Sequence, residues 1–213
     1  MKLFSTVGVA GLVLMALSSM CMAAYSEITV EQLDKAIPDR AGANSCASTD
    51  TPDECATNAA AAKAISAAMS KYKVTSRGEL VALISLMAFE SSDWQYNTNH
   101  FPGRPGQGTR AMLMYNFIYE YAKYLYPSKV QSNVVASQNT AVMNNVRSIV
   151  LNDNDSFGSA FWYLANVAPA FHNKPDKLRD GNVDDVVDYI TNGVKTTWTP
   201  DREEVWRRVN DAL

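Results

Sequence analysis

Residues 76–90 read Ser-Arg-Gly-Glu-Leu-Val-Ala-Leu-Ile-Ser-Leu-Met-Ala-Phe-Glu, and they form the clearest helical pattern of the chain. Ser76 and Glu79 have the spacing of a capping box, in which each side chain binds the backbone N–H of the other residue. Apolar residues then recur at intervals of three and four positions, at Leu80, Leu83, Ile84, Met87 and Ala88. This period is typical of a packed α-helix. We therefore predict a core helix that ends near residues 90–92.

Helical patterns also dominate the sequence on both sides of this stretch. Residues 58–72 are rich in alanine and contain neither glycine nor proline. Further helical candidates are residues 111–126, 139–151, 156–167, 183–192 and 200–213. No stretch alternates apolar and polar residues well enough to predict a strand. The sequence thus predicts one mainly α domain with little or no β structure.

The first residues of the chain have the pattern of an export signal. Lys2 precedes an apolar run over residues 3–20, and the small residues Ala23 and Ala24 follow it. The alternative is a membrane anchor, but Ser, Thr and Gly interrupt the apolar run. We expect residues 1–23 to be removed, no membrane association afterwards, and a secreted, monomeric protein. Residues 24–75 would hold N-terminal helices and a polar loop, and residues 76–213 the helical core.

Cysteine content and charge limit the partners and cofactors of the exported chain. Cys21 lies in the signal, so Cys46 and Cys55 remain, and a disulfide between them is the simplest prediction. Without the signal, 18 Lys and Arg face 22 Asp and Glu, which gives a net charge of −4 and argues against nucleic acid. His100 and His172 lack metal-ligand spacing, so we predict neither a metal nor another cofactor.

Glu90 is the strongest candidate for a catalytic group. It stands at the negative end of the helix dipole, and Phe89 and Trp94 could exclude water from its side chain. These surroundings favour a carboxylic acid that keeps its proton, and a glycosidase uses such an acid to protonate the leaving oxygen. The alternative is an ordinary solvated glutamate at a helix end.

Aromatic and amide side chains crowd the sequence around Glu90. The aromatic members are Trp94, Tyr96, Phe101, Tyr115 and Tyr119, and the amides are Asn97, Asn99 and Gln107. Flat rings combined with amides suit the binding of sugar rings. However, tyrosines at helical spacing between residues 115 and 124 also suit a buried core, and the sequence leaves both interpretations open.

Three segments together resemble the lysozyme-like superfamily. They are Leu86-Met-Ala-Phe-Glu-Ser91, Asn99-His-Phe-Pro-Gly-Arg-Pro-Gly-Gln-Gly108 and a following helix with Tyr115, Asn116, Tyr121 and Ala122. The resemblance covers residues 76–213. It is closer to a group of secreted fungal proteins that carry the Phe-Pro-Gly-Arg-Pro-Gly-Gln-Gly segment and a later Phe-Gly-Ser-x-x-Trp, which here is Phe157-Gly-Ser-Ala-Phe-Trp162, and more distant to goose-type lysozymes and soluble lytic transglycosylases.

The resemblance implies a lysozyme-like helical domain and assigns roles to several residues. Glu90 would be the general acid, with Ser91 and Gln107 near it. Tyr115, Trp162 and Tyr163 would line the cleft. The lytic enzymes usually have Gly-Leu-Met-Gln after the loop, whereas this chain has Ala111-Met-Leu-Met114, so a typical amide contact is missing or displaced to Gln107.

The sequence does not fix a second carboxylate. If the helix continued one turn beyond Glu90, Asp93 would share its face, and we take Asp93 as the candidate. Asp153 and Asp155 are alternatives, although each also suits a solvated loop or a helix cap.

These features together predict a secreted enzyme that cleaves β-1,4-linked amino-sugar polymers. The mildly acidic chain favours chitin-type polymers over anionic peptidoglycan as the partner polysaccharide. The altered segment at residues 111–114 motivates an alternative, a non-catalytic glycan-binding or host-interaction protein on the same fold. A purely structural or antigenic secreted protein is the third possibility.

Overall fold

The computed structural model describes residues 25–131, 134, 139–174, 176–178 and 180–213, so the predicted signal at residues 1–23 lies outside the described residues. Within these ranges the chain forms eight α-helices and no β-sheet. The helices are α1 (Val30–Ala36), α2 (Asn58–Tyr72), α3 (Arg77–Glu90), α4 (Tyr115–Leu125), α5 (Thr140–Ser148), α6 (Asp153–Asn166), α7 (Val183–Asp188) and α8 (Pro200–Ala212). A 3-10 turn at Pro38–Arg40 follows α1, and a π-helical turn at Tyr189–Gly193 extends α7. The prediction of a mainly α domain is confirmed.

Helix α3 forms the centre of the molecule. Residues 78–88 are all buried, so this helix is covered on every side rather than along one stripe. It packs against α8 and α6, and α6 also packs against α2. A helix surrounded in this way needs apolar residues on its whole circumference, which explains the dense run of Leu, Ile, Val, Met and Ala.

The predicted cap of α3 is present only in part. The Ser76 side chain accepts a hydrogen bond from the Glu79 N–H at 3.2 Å, and its hydroxyl donates to Glu79 Oε2 at 3.0 Å. The other carboxylate oxygen, Oε1, accepts from the Asn173 N–H at 2.7 Å and lies 2.9 Å from His172 Nδ1. Glu79 is buried and therefore connects the start of α3 to a distant loop instead of closing a full capping box.

The N-terminal segment shares its core with the rest of the chain. Helix α1 packs against α8, and α2 packs against α6, so residues 25–75 and 76–213 form one domain. The predicted disulfide between Cys46 and Cys55 is confirmed, with the two Cα atoms 5.6 Å apart. In the part of the chain that the structure describes, no helix has the length and apolar character to cross a membrane.

The tyrosines of α4 belong mainly to the core. Tyr115, Tyr119 and Tyr121 are buried, whereas Tyr124 is 54% exposed. Trp162 packs on Tyr121 with ring centroids 5.2 Å apart. Helix α4 begins at Tyr115 rather than at residue 111, because Gly108 and Leu113 pair in an isolated β-bridge and the residues between them form a turn. In this turn Thr109 and Met112 have left-handed φ angles of 69° and 45°.

Candidate functional site

Glu90 lies where two surface hollows meet. The first, which we call the aromatic hollow, has a volume of about 240 Å³ and is lined by Phe89, Glu90, Ser92, Tyr96, Thr98, Asn99, His100, Phe101 and Met112. The second, which we call the basic hollow, has a volume of about 350 Å³ and is lined by Glu90, Arg104, Gln107, Ala111, Met112, Leu113, Met114, Phe117, Tyr163, Val194, Lys195, Thr196 and Arg202. Glu90 and Met112 are common to both linings. The two hollows adjoin at these two residues, and we refer to them together as the groove.

The end of α3 places Glu90 at this junction. Ser91 follows the helix as its cap: its hydroxyl donates to the Met87 carbonyl at 2.7 Å and accepts from the Trp94 N–H at 3.1 Å. The next three residues, Ser92, Asp93 and Trp94, adopt left-handed φ angles of 51°, 53° and 65°. The chain therefore turns sharply away from the helix axis directly after Glu90.

This turn separates Asp93 from Glu90. The further helical turn that would have brought Asp93 onto the face of Glu90 does not form. Asp93 instead accepts two hydrogen bonds of 3.0 Å from Arg208 Nη2. It lines a different hollow of about 430 Å³ together with Arg40 and Arg208. Asp93 is therefore not a lining residue of the groove.

The carboxylate of Glu90 is bound by Arg202 from the first turn of α8. Arg202 Nη2 lies 2.5 Å from Glu90 Oε1, and its guanidinium lies 4.0 Å from the centre of the Phe89 ring. Only 8% of the Arg202 side chain is exposed, against 23% for Glu90. Trp94, which the sequence places near Glu90, is buried in the core against Phe157 and lines neither hollow.

Glu54 holds the loop that forms the wall of the aromatic hollow. Its Oε2 accepts hydrogen bonds from the N–H groups of Asn97 at 3.0 Å and Thr98 at 3.2 Å. Its Oε1 lies 2.8 Å from His100 Nε2. Because Glu54 directly precedes Cys55, the disulfide loop and the groove wall are joined through this carboxylate.

The buried side chain of Arg110 binds the backbone of the same loop. Its Nη1 donates to the carbonyls of Trp94 and Tyr96 at 2.8 and 2.9 Å, and its Nη2 donates to the Glu54 carbonyl at 2.6 Å. Arg110 is fully buried, and the loss of solvent lowers its pKa to about 10, although the nearby Asp153 carboxylate acts in the opposite direction. A buried guanidinium that binds three carbonyls fixes the backbone that carries Tyr96.

Three rings follow one another along the rim of the aromatic hollow. The Tyr96 and His100 rings are 5.2 Å apart, and the His100 and Phe101 rings are 6.4 Å apart. Phe101 is 82% exposed. An apolar ring held in water beside two others offers a surface for the apolar face of a sugar.

The predicted substrate-binding residues fall into two groups. Tyr96, Gln107 and Tyr163 line the groove. The others have contacts in the interior: Ser91 caps α3, Asn97 Nδ2 donates to the Leu151 carbonyl at 3.4 Å, Tyr115 OH donates to the Val134 carbonyl at 2.6 Å, and Trp162 packs on Tyr121. The residues that line the groove thus include part of the predicted substrate-binding set. They also include Arg202, His100, Arg104 and Lys195, which the sequence did not predict.

The two alternative carboxylates have structural partners. Asp153 accepts a hydrogen bond from Arg110 at 3.4 Å, and Asp155 accepts from Tyr126 OH and Asn152 Nδ2 at 2.6 Å each. Neither lines the groove. In the residues that the structure describes, no group of three or more His, Cys, Asp and Glu side chains could hold a metal ion.

Comparison with known proteins gives one partial likeness. Over 108 residues the chain is 37% identical to a protein of Fusarium oxysporum (strain Fo5176) named bifunctional dioxygenase (DOX)-epoxy alcohol synthase (EAS). The match covers 49% of this chain but only 8% of that protein. The two activities in the name therefore describe a protein that lies mostly outside the match. No family model and no solved structure matches the chain.

Proposed function

We propose that this protein is a glycan-cleaving enzyme in which Glu90 protonates the glycosidic oxygen of an amino-sugar polymer. The observation that carries the proposal is the position of Glu90 at the junction of the aromatic and basic hollows. A polymer laid along the groove would have sugars on both sides of this carboxylate. A general acid that protonates a glycosidic oxygen must lie beside the bond that joins two sugar units.

The two oxygens of Glu90 have different surroundings. Oε1 accepts the hydrogen bond from Arg202 Nη2, and because a guanidinium only donates, the proton of a neutral Glu90 would sit on Oε2. No residue in the described ranges donates a hydrogen bond to Oε2. A proton on this oxygen could therefore be passed to a substrate in the groove.

The aromatic rim and the amides suit a sugar substrate. Tyr96, His100 and Phe101 supply adjacent rings on one side of Glu90, and Asn99 and Gln107 line the two hollows. We place the enzyme outside the cell, because the disulfide between Cys46 and Cys55 is stable in an oxidising compartment and residues 1–23 have the pattern of an export signal.

The proposal is tested by product release from purified Glu90→Gln protein. Wild type should release fragments from chitin oligomers or peptidoglycan, and Glu90→Gln should be slower by roughly 10²–10⁴-fold, the usual contribution of a general acid. Glu120→Gln is the matched control, because Glu120 is exposed on α4 and lines neither hollow. Equal rates for Glu90→Gln and wild type, measured by mass spectrometry of the products, would exclude the proposed role.

A second candidate function is glycan binding without turnover. The ion pair between Glu90 and Arg202 favours it, since the acid is already engaged by a buried guanidinium. Glu90 is also the only carboxylate among the described residues that line the groove. Saturable binding of a polymer without any product, unchanged by Glu90→Gln, would favour this function over the enzyme.

A further inference from the structure

The first turn of α6 contains the sequence Asn154-Asp-Ser156, which has the form Asn-x-Ser/Thr of an acceptor for N-linked glycosylation. No other triplet of this form occurs in the 213 residues of the chain. In such an acceptor the asparagine amide carries the glycan, and the hydroxyl of the third residue is required for its attachment. Triplets of this form also arise by chance, so the surroundings of Asn154 and Ser156 decide whether this one is a site.

Asn154 is exposed at a helix start whose other polar side chains are bonded. Asn152 caps α6 by accepting from the Asp155 N–H at 3.2 Å, and it also donates to Asp155 Oδ2 at 2.6 Å. Asp153 accepts from Arg110 Nη2 at 3.4 Å. Asn154 lies between these residues, yet its side chain has no hydrogen bond to any described residue. Its amide therefore faces solvent and can carry a bulky group without breaking a contact of the fold.

The hydroxyl of Ser156 makes no hydrogen bond in the described part of the fold. Ser156 is fully buried, and its Oγ has no partner among the described residues. Its backbone, in contrast, is used, because its carbonyl accepts from the Ser159 hydroxyl at 2.8 Å and from the Arg110 N–H at 3.3 Å. An alanine would keep both contacts and would avoid the cost of a buried polar group without a partner. The fold thus gives no reason for a hydroxyl at this position, whereas the acceptor sequence does.

We infer that Asn154 is an N-glycosylation site, modified as the chain enters a eukaryotic export pathway and before α6 folds. The order of events follows from burial: once α6 is packed, no transferase can reach the Ser156 hydroxyl. This inference goes beyond the proposed function, since it rests on the extracellular location and not on the role of Glu90. Export is indicated by the disulfide between Cys46 and Cys55 and by the pattern of residues 1–23.

The attachment exchanges one bond to a sugar for another. The donor is an oligosaccharide joined through C1 of its first N-acetylglucosamine to a lipid diphosphate. Asn154 Nδ2 forms a C–N bond to this C1, the bond between C1 and the diphosphate oxygen breaks, and the lipid diphosphate leaves with the electron pair. The amide loses one proton to a base of the transferase. No oxidant or reductant takes part.

A glycan attached at this position leaves the groove open. Asn154 lines neither the aromatic hollow nor the basic hollow. It is also absent from the lining of the hollow that contains Asp93. We therefore expect enzymatic removal of the attached glycan to leave any product release or polymer binding at Glu90 unchanged.

The test expresses the full chain, with its residues 1–23, in eukaryotic cells that secrete proteins. Protein from the medium is analysed by intact-mass and peptide mass spectrometry before and after treatment with peptide N-glycosidase F, which releases the glycan and converts its asparagine to aspartate. We expect wild type to carry one glycan that the enzyme removes, with the conversion at Asn154 alone.

Two variants separate the acceptor sequence from the fold. Asn154→Gln and Ser156→Ala should each abolish the glycan. Ser156→Ala leaves the exposed amide intact, and after removal of the wild-type glycan both proteins should be equally stable in urea, because the lost hydroxyl has no described partner. Asn116→Gln is the control, since Asn116 is exposed on α4 outside an acceptor sequence, and it should keep the glycan. A variant that is not secreted is recovered from the cells and analysed in the same way.

The outcomes distinguish this inference from the proposed function. Secreted wild type without a glycan, or a glycan that persists in Ser156→Ala, would overturn the site at Asn154 and leave the enzyme proposal standing. Wild type retained in the cell without a glycan would contradict both this site and the extracellular location. Glycosylated Glu90→Gln protein that releases sugar as fast as wild type would contradict the enzyme proposal alone.

Discussion

Arg202 and Glu90 are 112 residues apart in the sequence, yet Arg202 Nη2 lies 2.5 Å from Glu90 Oε1. The contact joins the first turn of α8 to the last residue of α3. Thr199 caps α8 by accepting from the Arg202 N–H at 3.4 Å, which fixes the start of the helix beside the groove. The C-terminal helix therefore completes a site whose central residue belongs to the middle of the chain.

Because Glu90 and Arg202 form an ion pair, the effects of substituting them on the free energy of unfolding should not be additive. In a double-mutant cycle with Glu90→Gln and Arg202→Gln, we expect a coupling free energy of about 1–3 kcal/mol, because the Arg202 side chain is buried and Glu90 is only partly exposed. Urea unfolding of the four proteins measures it. The matched control is the exposed pair Glu203 and Arg207, 3.0 Å apart, for which about 0.3–0.5 kcal/mol is expected. A Glu90–Arg202 coupling no larger than the control would contradict the prediction.

The disulfide should contribute to stability through the loop that it closes. Cys46 and Cys55 are nine positions apart, and loop-closure entropy for this length corresponds to about 2–3 kcal/mol. We expect the Cys46→Ser/Cys55→Ser variant to lose this amount in urea unfolding. A reductant should destabilise wild type and leave the double variant unchanged. If reductant destabilised both proteins equally, the loss of stability would not be due to the disulfide.

Local sequence patterns predict the elements of this fold well. The capping pair Ser76 and Glu79 and the apolar spacing after it predict α3 and its end near residues 90–92, and Cys46 and Cys55 predict the disulfide. These features depend on residues close together in the sequence. Tyrosine spacing alone could not separate core from surface, and the structure buries Tyr121 while it exposes Tyr124.

The surroundings of the site could not be predicted in the same way. Arg202 reaches Glu90, and Glu54 reaches His100, across 112 and 46 positions, and no spacing rule links residues so far apart. The distribution of charge illustrates the same limit. The chain as a whole is acidic, whereas the fold gathers Arg104, Lys195 and Arg202 around one hollow. Net charge says nothing about where the charges lie.

Glu54 should control the order of the groove wall. Glu54→Gln removes the charge that accepts from the Asn97 and Thr98 N–H groups, so we expect these two amides to exchange with solvent roughly 5- to 150-fold faster, which corresponds to about 1–3 kcal/mol. Hydrogen exchange followed by NMR measures it. Glu31→Gln is the control, because the Glu31 side chain is 80% exposed and its ion-pair partner among the described residues is Lys35, an exposed lysine on the same helix. Unchanged exchange at Asn97 and Thr98 would show that Glu54 does not hold the loop.

Buried tyrosines should make the protein sensitive to alkaline pH. Burial raises the pKa of Tyr72, Tyr121 and Tyr189 above the value of about 10 that holds in an unfolded chain. In the unfolded state these groups lose protons first as pH rises, so their contribution to stability is fully present below about pH 10 and is lost progressively above it. Arg110, with a pKa of about 10, acts in the opposite direction between pH 10 and 12.5, since its burial cost falls as it loses its proton.

With three tyrosines against one arginine, the free energy of unfolding should fall above pH 10, by up to about 1.4 kcal/mol per pH unit for each tyrosine. Urea unfolding at pH 8, 9, 10 and 11 gives the slope. Tyr121→Phe should reduce the slope, because its hydroxyl is buried and donates to the Asp155 carbonyl at 2.8 Å. Tyr124→Phe should leave the slope unchanged, because that ring is 54% exposed. A slope that is the same in both variants would mean that burial of Tyr121 does not drive the alkaline transition.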